Sequence, residues 1–173
     1  MAESTDYSIL DVDDTETNID ILMGVLGDDY EVCVATDGES ALELVAENPP
    51  DLILLDAMMP GIDGYEVCRR LKQDLKSKDI PVIFISAMSE VSDETKGFEV
   101  GAVDYITKPI SPPVAKARVK NHLAIRTTHQ KLESLSGKLV KYLSPQVYQS
   151  IFEGSKDACL ATSRKKLTAF FSD

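Results

Sequence analysis

Three aspartates, a serine and a lysine stand out because each closes or follows a short apolar run. Asp13 and Asp14 end the first run, Asp56 the third and Ser86 the fourth, and the fifth leads into Lys108. Three carboxylates packed together at neutral pH favour a hard divalent cation such as Mg²⁺ between them. A carboxylate nucleophile, a cation, an ammonium and a hydroxyl are together suited to phosphoryl transfer.

Asp56 is the expected nucleophile, because it is the single carboxylate at the end of the central run. The loop AMMPGIDG follows it directly. Pro60, Gly61 and Gly64 predict a tight turn in this loop, which can bring the backbone carbonyl of Met58 to the cation.

These residues must be positioned by the apolar runs, which alternate with amphipathic stretches. The runs cover residues 8–12, 31–35, 52–55, 82–85 and 105–107. Such alternation predicts an α/β fold with a doubly wound, five-stranded parallel sheet covered by helices on both faces. The carboxyl ends of parallel strands face one crevice, so the five side chains should converge there.

The helices between the runs are predicted from apolar spacing of three and four residues. The expected inner faces are Ile19, Leu22, Met23 and Leu26; Ala41, Leu42, Leu44 and Val45; and Val67, Cys68 and Leu71. A fourth helical stretch is expected at about residues 92–100, and a fifth begins near Pro112 and Pro113, where proline suits a first turn.

Four motifs, in this order and at these spacings, carry a family resemblance. They are VDD at 12–14, LLDAMMPGIDGYEVC at 54–68, PVIFISA at 81–87 and GAVDYITKPI at 101–110. Residues 7 to about 125 resemble the receiver domain of two-component response regulators. The resemblance implies a flavodoxin-like fold with strand order 2-1-3-4-5 and phosphorylation by a histidine kinase or phosphotransfer protein.

The resemblance also assigns roles position by position. It implies that Mg²⁺ is held by Asp13, Asp14, Asp56 and the backbone carbonyl of Met58, and that Asp56 is the phosphoacceptor. It implies that Ser86 and Lys108 bind the phosphoryl group. Ser86 and Tyr105 would be the switch residues. It further suggests a cis peptide bond between Lys108 and Pro109, and no turnover of its own beyond phosphoryl acceptance and autodephosphorylation.

Asp11 departs from this pattern, since receivers usually carry an apolar or small residue there. Strand alternation places it on the same face as Asp13, beneath the predicted cation site. The run DVDDT at 11–15 also resembles the nucleophile loop of haloacid-dehalogenase-like phosphohydrolases, with Asp11 as nucleophile and Asp13 as general acid. A dimerisation scaffold that is not phosphorylated is the other alternative.

The fifth helix is expected to extend beyond the receiver into a short heptad pattern. Ile125, Leu132 and Leu139 recur every seven residues, as do Thr128, Leu135 and Tyr142, over about two to three heptads. The pattern predicts either a homodimer stalk or an amphipathic helix that folds back on its own domain. The predicted organisation is a receiver at 1–125, a linker at 126–143 and a further segment at 144–173.

The segment at 138–173 is similar to the sequence that leads into class III adenylate and guanylate cyclase domains. In that family a run resembling LTAFFSD is the first catalytic strand, and its closing aspartate binds a catalytic metal. Asp173 would match that aspartate, although Ala169 replaces a larger apolar residue. The resemblance implies a cyclase output regulated through the linker, using ATP or GTP.

The composition of the chain disfavours several classes of function. The 173 residues carry 29 acidic and 18 basic side chains, for a net charge of -11, which disfavours direct binding of nucleic acid. The N-terminus lacks the features of a signal peptide, and the apolar runs are too short to span a membrane. Cys33, Cys68 and Cys159 form no metal-binding pattern. These features predict a cytoplasmic protein without membrane insertion.

Some receivers dimerise through the fourth helix, the fifth strand and the fifth helix, and by this resemblance Asp104 and Arg118 are expected to pair across a dimer face. Separately, His122 and His129 are expected to be solvated residues of the last helix.

Overall fold

Five parallel strands form one sheet in the computed structural model, which describes residues 7–87 and 97–142. The strand order is β2-β1-β3-β4-β5. The strands are β1 Ser8–Val12, β2 Glu31–Ala35, β3 Leu52–Asp56, β4 Val82–Ser86 and β5 Asp104–Thr107. The predicted doubly wound, flavodoxin-like fold is confirmed, and every strand begins and ends within one residue of its predicted bounds.

Four helices accompany the sheet among the described residues. They are α1 Glu16–Leu26, α2 Gly38–Glu47, α3 Gly64–Gln73 and α4 Pro112–Tyr142. Aspartates cap two of them: Asp37 accepts a hydrogen bond from the Ser40 amide, and Asp63 accepts one from the Glu66 amide, both at 2.8 Å. Of the predicted fourth helical stretch, residues 97–99 are helical, and residues 92–96 lie outside the described residues.

The core consists of two apolar layers, one on each face of the sheet. Alternate residues of β1 and β3 point to opposite layers, as the pleat requires. Leu10 and Val12 lie in the layer that contains Val67 and Leu71 of α3. The other layer contains strand residues and the inner faces of α1 and α4, namely Ile9, Leu54, Ile85, Leu22, Leu26, Val119 and Leu123.

Two of the predicted inner-face residues, Met23 and Leu44, are exposed. In α1 the buried residues are Leu22 and Leu26, flanked by the partly buried Ile21 and Val25. The buried stripe is therefore turned away from Met23, which lies at its outer edge. In α2 the buried apolar residues are Ala41 and Val45, which leaves Leu44 on the exposed side.

Helix α4 continues through Gly137 to Tyr142. By its internal contacts, the chain divides into two units, Met1–Thr128 and His129–Asp173. Ile125, Leu132 and Leu135, which belong to the predicted heptad pattern, are 63%, 61% and 56% exposed. The side chains of Leu139 and Tyr142 lie outside the described residues, as does the whole segment after residue 142, including Ala169 and Asp173.

Within the first unit, α4 is attached to the end of the sheet where the strands begin. Arg126 donates hydrogen bonds to the backbone carbonyls of Pro50 (3.2 Å) and Asp51. The hydroxyls of Tyr7 and Thr127 lie 2.6 Å apart. No helix in the described part of the chain is both long and apolar enough to cross a bilayer.

Candidate active site

The three predicted aspartates meet at the carboxyl ends of β1 and β3. Asp13 follows β1, Asp56 ends β3, and the two strands are paired in the sheet. One oxygen from each of Asp13, Asp14 and Asp56 lies within 4.8 Å of the others. Asp13 and Asp56 are 0% and 3% exposed, whereas Asp14 is open to solvent. Two of the three carboxylates are therefore buried, and the acidic pocket is open to solvent at Asp14.

The start of α1 fixes the orientation of Asp13. The Thr15 amide donates a hydrogen bond of 2.8 Å to its Oδ1 atom. The Asn18 side-chain amide lies 3.1 Å from Oδ1 and 2.9 Å from Oδ2. Sequence reasoning missed Asn18; its place in the first turn of the helix that follows two aspartates was the available signal.

Lys108 reaches the same carboxylates from the end of β5. Its Nζ atom lies 2.7 Å from Asp56 Oδ2 and 3.1 Å from Asp13 Oδ2. Burial would lower the pKa of Lys108, but its hydrogen bonds to Asp56 and Asp13 outweigh that effect and raise the pKa above its ordinary value. The lysine is therefore a fixed positive charge. The Lys108–Pro109 bond is cis.

Asp56 is held by contacts at both carboxylate oxygens. Its Oδ1 atom accepts a hydrogen bond of 3.1 Å from the Met58 amide, and its Oδ2 atom faces Lys108. Burial raises the pKa of Asp56 in spite of these two donors. A cation or an additional positive group at the pocket would favour its charged form.

The loop after Asp56 depends on two glycines. Gly61 has a φ of +83°, which favours glycine. At Gly64 a Cβ atom would lie 2.1 Å from the backbone oxygen of Asp56. The amide of Gly64 donates a hydrogen bond to the carbonyl of Ala57, so the loop closes tightly behind the carboxylate, as the sequence predicted.

Ser86 and Tyr105 lie on the two strands beyond β3. Ser86 ends β4, is 8% exposed, and pairs in register with Thr107. The ring of Tyr105 makes an edge contact with Phe98, with centroids 6.2 Å apart, and the Arg118 guanidinium lies 5.8 Å from its centroid.

Asp104 pairs with residues of α4 in the same chain. Asp104 contacts Arg118 of the same chain, and its Oδ2 atom lies 3.0 Å from His122 Nε2. Burial opposes the charge on Asp104, but hydrogen bonds from Arg118 and His122 keep its pKa below the ordinary value. His122 is therefore a partner of Asp104 and only partly solvated, whereas His129 is largely exposed as expected.

Asp11 is fully buried in β1, and neither of its carboxylate oxygens has a hydrogen-bond partner among the described residues. Burial, followed by the charge of Asp13, raises its pKa to about 8. Lys108 is paired with Asp56 and Asp13, whereas Asp11 is 0% exposed and has no polar partner among the described residues. This arrangement disfavours the phosphohydrolase alternative.

The residues present fit a hard divalent cation. Mg²⁺ prefers carboxylate, carbonyl and water oxygens, and the pocket offers three carboxylates beside the loop that carries Met58. Lys108 supplies one positive charge to two of them, which leaves an excess of negative charge.

Comparison with known proteins agrees with the resemblance found in the sequence. Residues 9–120 match the family described as response regulator receiver domain. The chain is similar to the response regulator PleD of Caulobacter vibrioides, with 47% identity over 114 residues, covering 65% of this chain and 25% of PleD. It is also similar to a protein of Vibrio cholerae serotype O1 named probable cyclic di-GMP phosphodiesterase. There the identity is 44% over 123 residues, covering 71% of this chain and 28% of that protein.

The chain thus spans about a quarter of the length of these two relatives. Among solved structures, it resembles a candidate response regulator from Chloroflexus aurantiacus J-10-fl. The TM-score is 0.67 at 41% identity, covering 69% of this chain and 99% of that one.

Proposed function

The chain belongs to the family of response regulator receiver domains, and we propose that Asp56 is its phosphoacceptor. The contact between Lys108 and Asp56, at 2.7 Å, is the observation that carries this proposal. It places a fixed positive charge against the one carboxylate that ends the central strand. The proposed donor is a phosphorylated histidine of a histidine kinase or a phosphotransfer protein, and the proposed location is the cytoplasm.

In the proposed reaction an Asp56 carboxylate oxygen attacks the phosphorus of the donor. A new O–P bond forms, and the P–N bond to the donor imidazole breaks. The imidazole leaves with the bonding electron pair, as a neutral ring when its other nitrogen carries a proton. Asp56 becomes an acyl phosphate, which water held at the site can hydrolyse back to the carboxylate.

Asp13, Asp14, Asp56 and the backbone carbonyl of Met58 are the proposed ligands of Mg²⁺. When bound, the cation neutralises charge on the phosphoryl oxygens. The Thr15 and Asn18 donors keep the Asp13 carboxylate turned toward the pocket. The ligand set is supported by the oxygens of the three aspartates lying within 4.8 Å of one another.

Lys108 and Ser86 are proposed to hold the remaining oxygens of the phosphoryl group. Lys108 already lies at the pocket, and Ser86 closes the neighbouring strand β4. When Ser86 bonds the phosphoryl group, its loop moves inward and Tyr105 follows. The proposed switch role of Tyr105 is supported by its position between Phe98 and Arg118.

This proposal is tested by mapping the modified residue. The protein is incubated with a small acyl phosphate and Mg²⁺ and then reduced with borohydride, which converts an aspartyl phosphate to homoserine. Homoserine is expected at position 56 only when Mg²⁺ is present. Homoserine at another position, with Asp56 unchanged, contradicts the assignment.

The second part of the proposal concerns the output. We propose a receiver at 1–125, a helical linker at 126–143 that pairs with a second copy, and the start of a class III nucleotide cyclase domain at 144–173, with Asp173 as a metal ligand. The exposed apolar side chains of Leu132 and Leu135 support the pairing, and the similarity of the sequence LTAFFSD supports the cyclase.

The output is tested on a protein that includes a complete cyclase domain. Phosphorylation is expected to change cyclic nucleotide formation from ATP or GTP, and prolines at Leu132 and Leu135 are expected to abolish that response. Retained coupling in the proline variant contradicts transmission through the helix. No cyclic nucleotide from either substrate contradicts the cyclase output.

A further inference from the structure

The side chain of Arg118 lies over the ring of Tyr105, the residue of the proposed switch. Arg118 belongs to α4, and the central carbon of its guanidinium group lies 5.8 Å from the centroid of the Tyr105 ring. A cation within about 6 Å of an aromatic centroid is attracted to the negative face of the ring. The arginine therefore stabilises the ring in its observed position.

Asp104 and His122 restrain this guanidinium group. The Oδ1 atom of Asp104 contacts Arg118 and also accepts a hydrogen bond of 2.8 Å from the Tyr105 amide. The Oδ2 atom of Asp104 lies 3.0 Å from the Nε2 atom of His122. The side chain of Asp104 is 17% exposed, so its contacts are largely shielded from water. One carboxylate thus joins β5 to two residues of α4, and one of the two is the arginine over the ring.

These contacts keep Arg118 in place when the Tyr105 ring moves. Asp104 bonds the backbone amide of Tyr105 and two side chains of α4, and none of these bonds involves the ring. Rotation of Tyr105 about its side-chain bonds therefore leaves the guanidinium where it is. The ring loses its contact with the cation as soon as it is displaced.

We propose that Arg118 is a positioning residue for Tyr105, which holds the ring in its observed position and opposes its displacement when the phosphoryl group binds. This inference rests on the switch role of Tyr105 in the proposed function. A ligand shifts an equilibrium between two states only by its differential affinity for them. Because coupling between two sites is reciprocal, a residue that favours the initial position of the ring lowers the affinity of the pocket for the phosphoryl group.

The direction of the expected change separates this role from a general effect of charge. Removing a cation from the protein weakens its attraction for an anionic ligand, so the affinity for that ligand should fall. Loss of the contact between Arg118 and the ring has the opposite effect, because the ring is then displaced more easily. Tighter binding of an anionic ligand after removal of the arginine therefore points to the ring.

The test is binding of beryllofluoride, an anionic analogue of the phosphoryl group, to the whole chain at saturating Mg²⁺. Fluorine NMR measures the bound fraction. The variants are Arg118→Met, which keeps an apolar chain of similar length, and Arg118→Gln, which keeps a hydrogen-bond donor for Asp104. Each is also combined with Tyr105→Leu, which removes the ring. Lys120→Met is the matched control, because it removes an exposed cation from the same helix.

Arg118→Met is expected to bind beryllofluoride about threefold more tightly than the wild type, and Lys120→Met equally or slightly more weakly. In the Tyr105→Leu background, replacement of Arg118 should no longer tighten binding, because the contact with the ring is already absent. Thermal unfolding establishes that each variant is folded, and Arg118→Gln decides the comparison if Arg118→Met does not fold.

Unchanged or weaker binding of beryllofluoride by a folded Arg118 variant overturns the proposal. So does tighter binding that persists in the Tyr105→Leu background, because Arg118 then acts through another group. Absence of beryllofluoride binding by the wild type is a different result, since it contradicts the proposed phosphoacceptor pocket and the switch with it.

Discussion

The ammonium nitrogen of Lys108 lies 2.7 Å from the Oδ2 atom of Asp56. The two residues are 52 positions apart, and they meet because β3 and β5 both end at the same edge of the sheet, on either side of β4. The contact supplies a counter-charge to a buried carboxylate and leaves an ammonium where the phosphoryl oxygens of an acyl phosphate would lie.

Replacing Lys108 by alanine is expected to slow phosphorylation about 10²-fold, because a preorganised charge that stabilises the transition state is lost. The rate is measured as phosphoprotein formed per unit time from a small acyl phosphate. Lys120→Ala, an equal charge change at an exposed position of α4, should leave the rate within about twofold. An unchanged rate in Lys108→Ala contradicts the role of this lysine.

Gly64→Ala is expected to lower the free energy of unfolding by about 1–3 kcal/mol, because the new Cβ would meet the Asp56 carbonyl and displace the loop. The matched control is Gly24→Ala in α1, where nothing lies within 4 Å of the added carbon. That change should stabilise the protein by about 0.5–1 kcal/mol. Urea unfolding measures both, and a neutral Gly64→Ala contradicts the close packing of the loop.

Asp104→Asn is expected to destabilise the protein by about 1 kcal/mol at pH 7, since Arg118 and His122 lose a charged acceptor. The pKa of Asp104 lies below its ordinary value of 3.8 in the folded chain. Its stabilising contribution is therefore complete above pH 3.8 and is lost as the pH falls through the lower, folded-state pKa.

The difference in unfolding free energy between Asp104→Asn and the wild type should accordingly shrink only in acid. Denaturant titrations at pH 7, 5 and 3.5 measure it, with Glu43→Gln on α2 as an exposed control that changes stability by less than about 0.5 kcal/mol. A difference that grows as the pH falls would contradict the pairing.

Leu132→Ser combined with Leu135→Ser is expected to weaken self-association of the chain about 10²-fold or more, because both apolar side chains are exposed in the single copy and would be buried in a dimer. Sedimentation equilibrium measures the dissociation constant. Gln130→Ser, an exposed polar change on the same helix, should have no effect. A wild-type chain that remains monomeric contradicts the proposed stalk.

The sheet and the acidic pocket could be predicted because both depend on short-range pattern. Asp13, Asp56 and Ser86 stand where apolar runs end, and the ends of parallel strands meet at one edge of a sheet. The turn at Gly61 and Gly64 could also be predicted, because glycine adopts conformations and close approaches that other residues do not tolerate.

The contacts that could not be predicted depend on how helices rotate and dock. Met23 is exposed because the inner stripe of α1 is turned away from it. His122 pairs with Asp104, and Arg126 bonds the Asp51 carbonyl. Both contacts join residues that are far apart in sequence. No local spacing specifies such pairs.

The central claim is that Asp56 accepts the phosphoryl group, and intact-mass analysis tests it most directly. The wild type, Asp56→Asn and Asp11→Asn are incubated with a small acyl phosphate, each with and without Mg²⁺. A single phosphoryl adduct is expected on the wild type and on Asp11→Asn, and none on Asp56→Asn. An adduct that persists on Asp56→Asn, or that is absent from Asp11→Asn at saturating Mg²⁺ while present on Asp56→Asn, would contradict the account and favour Asp11 as nucleophile.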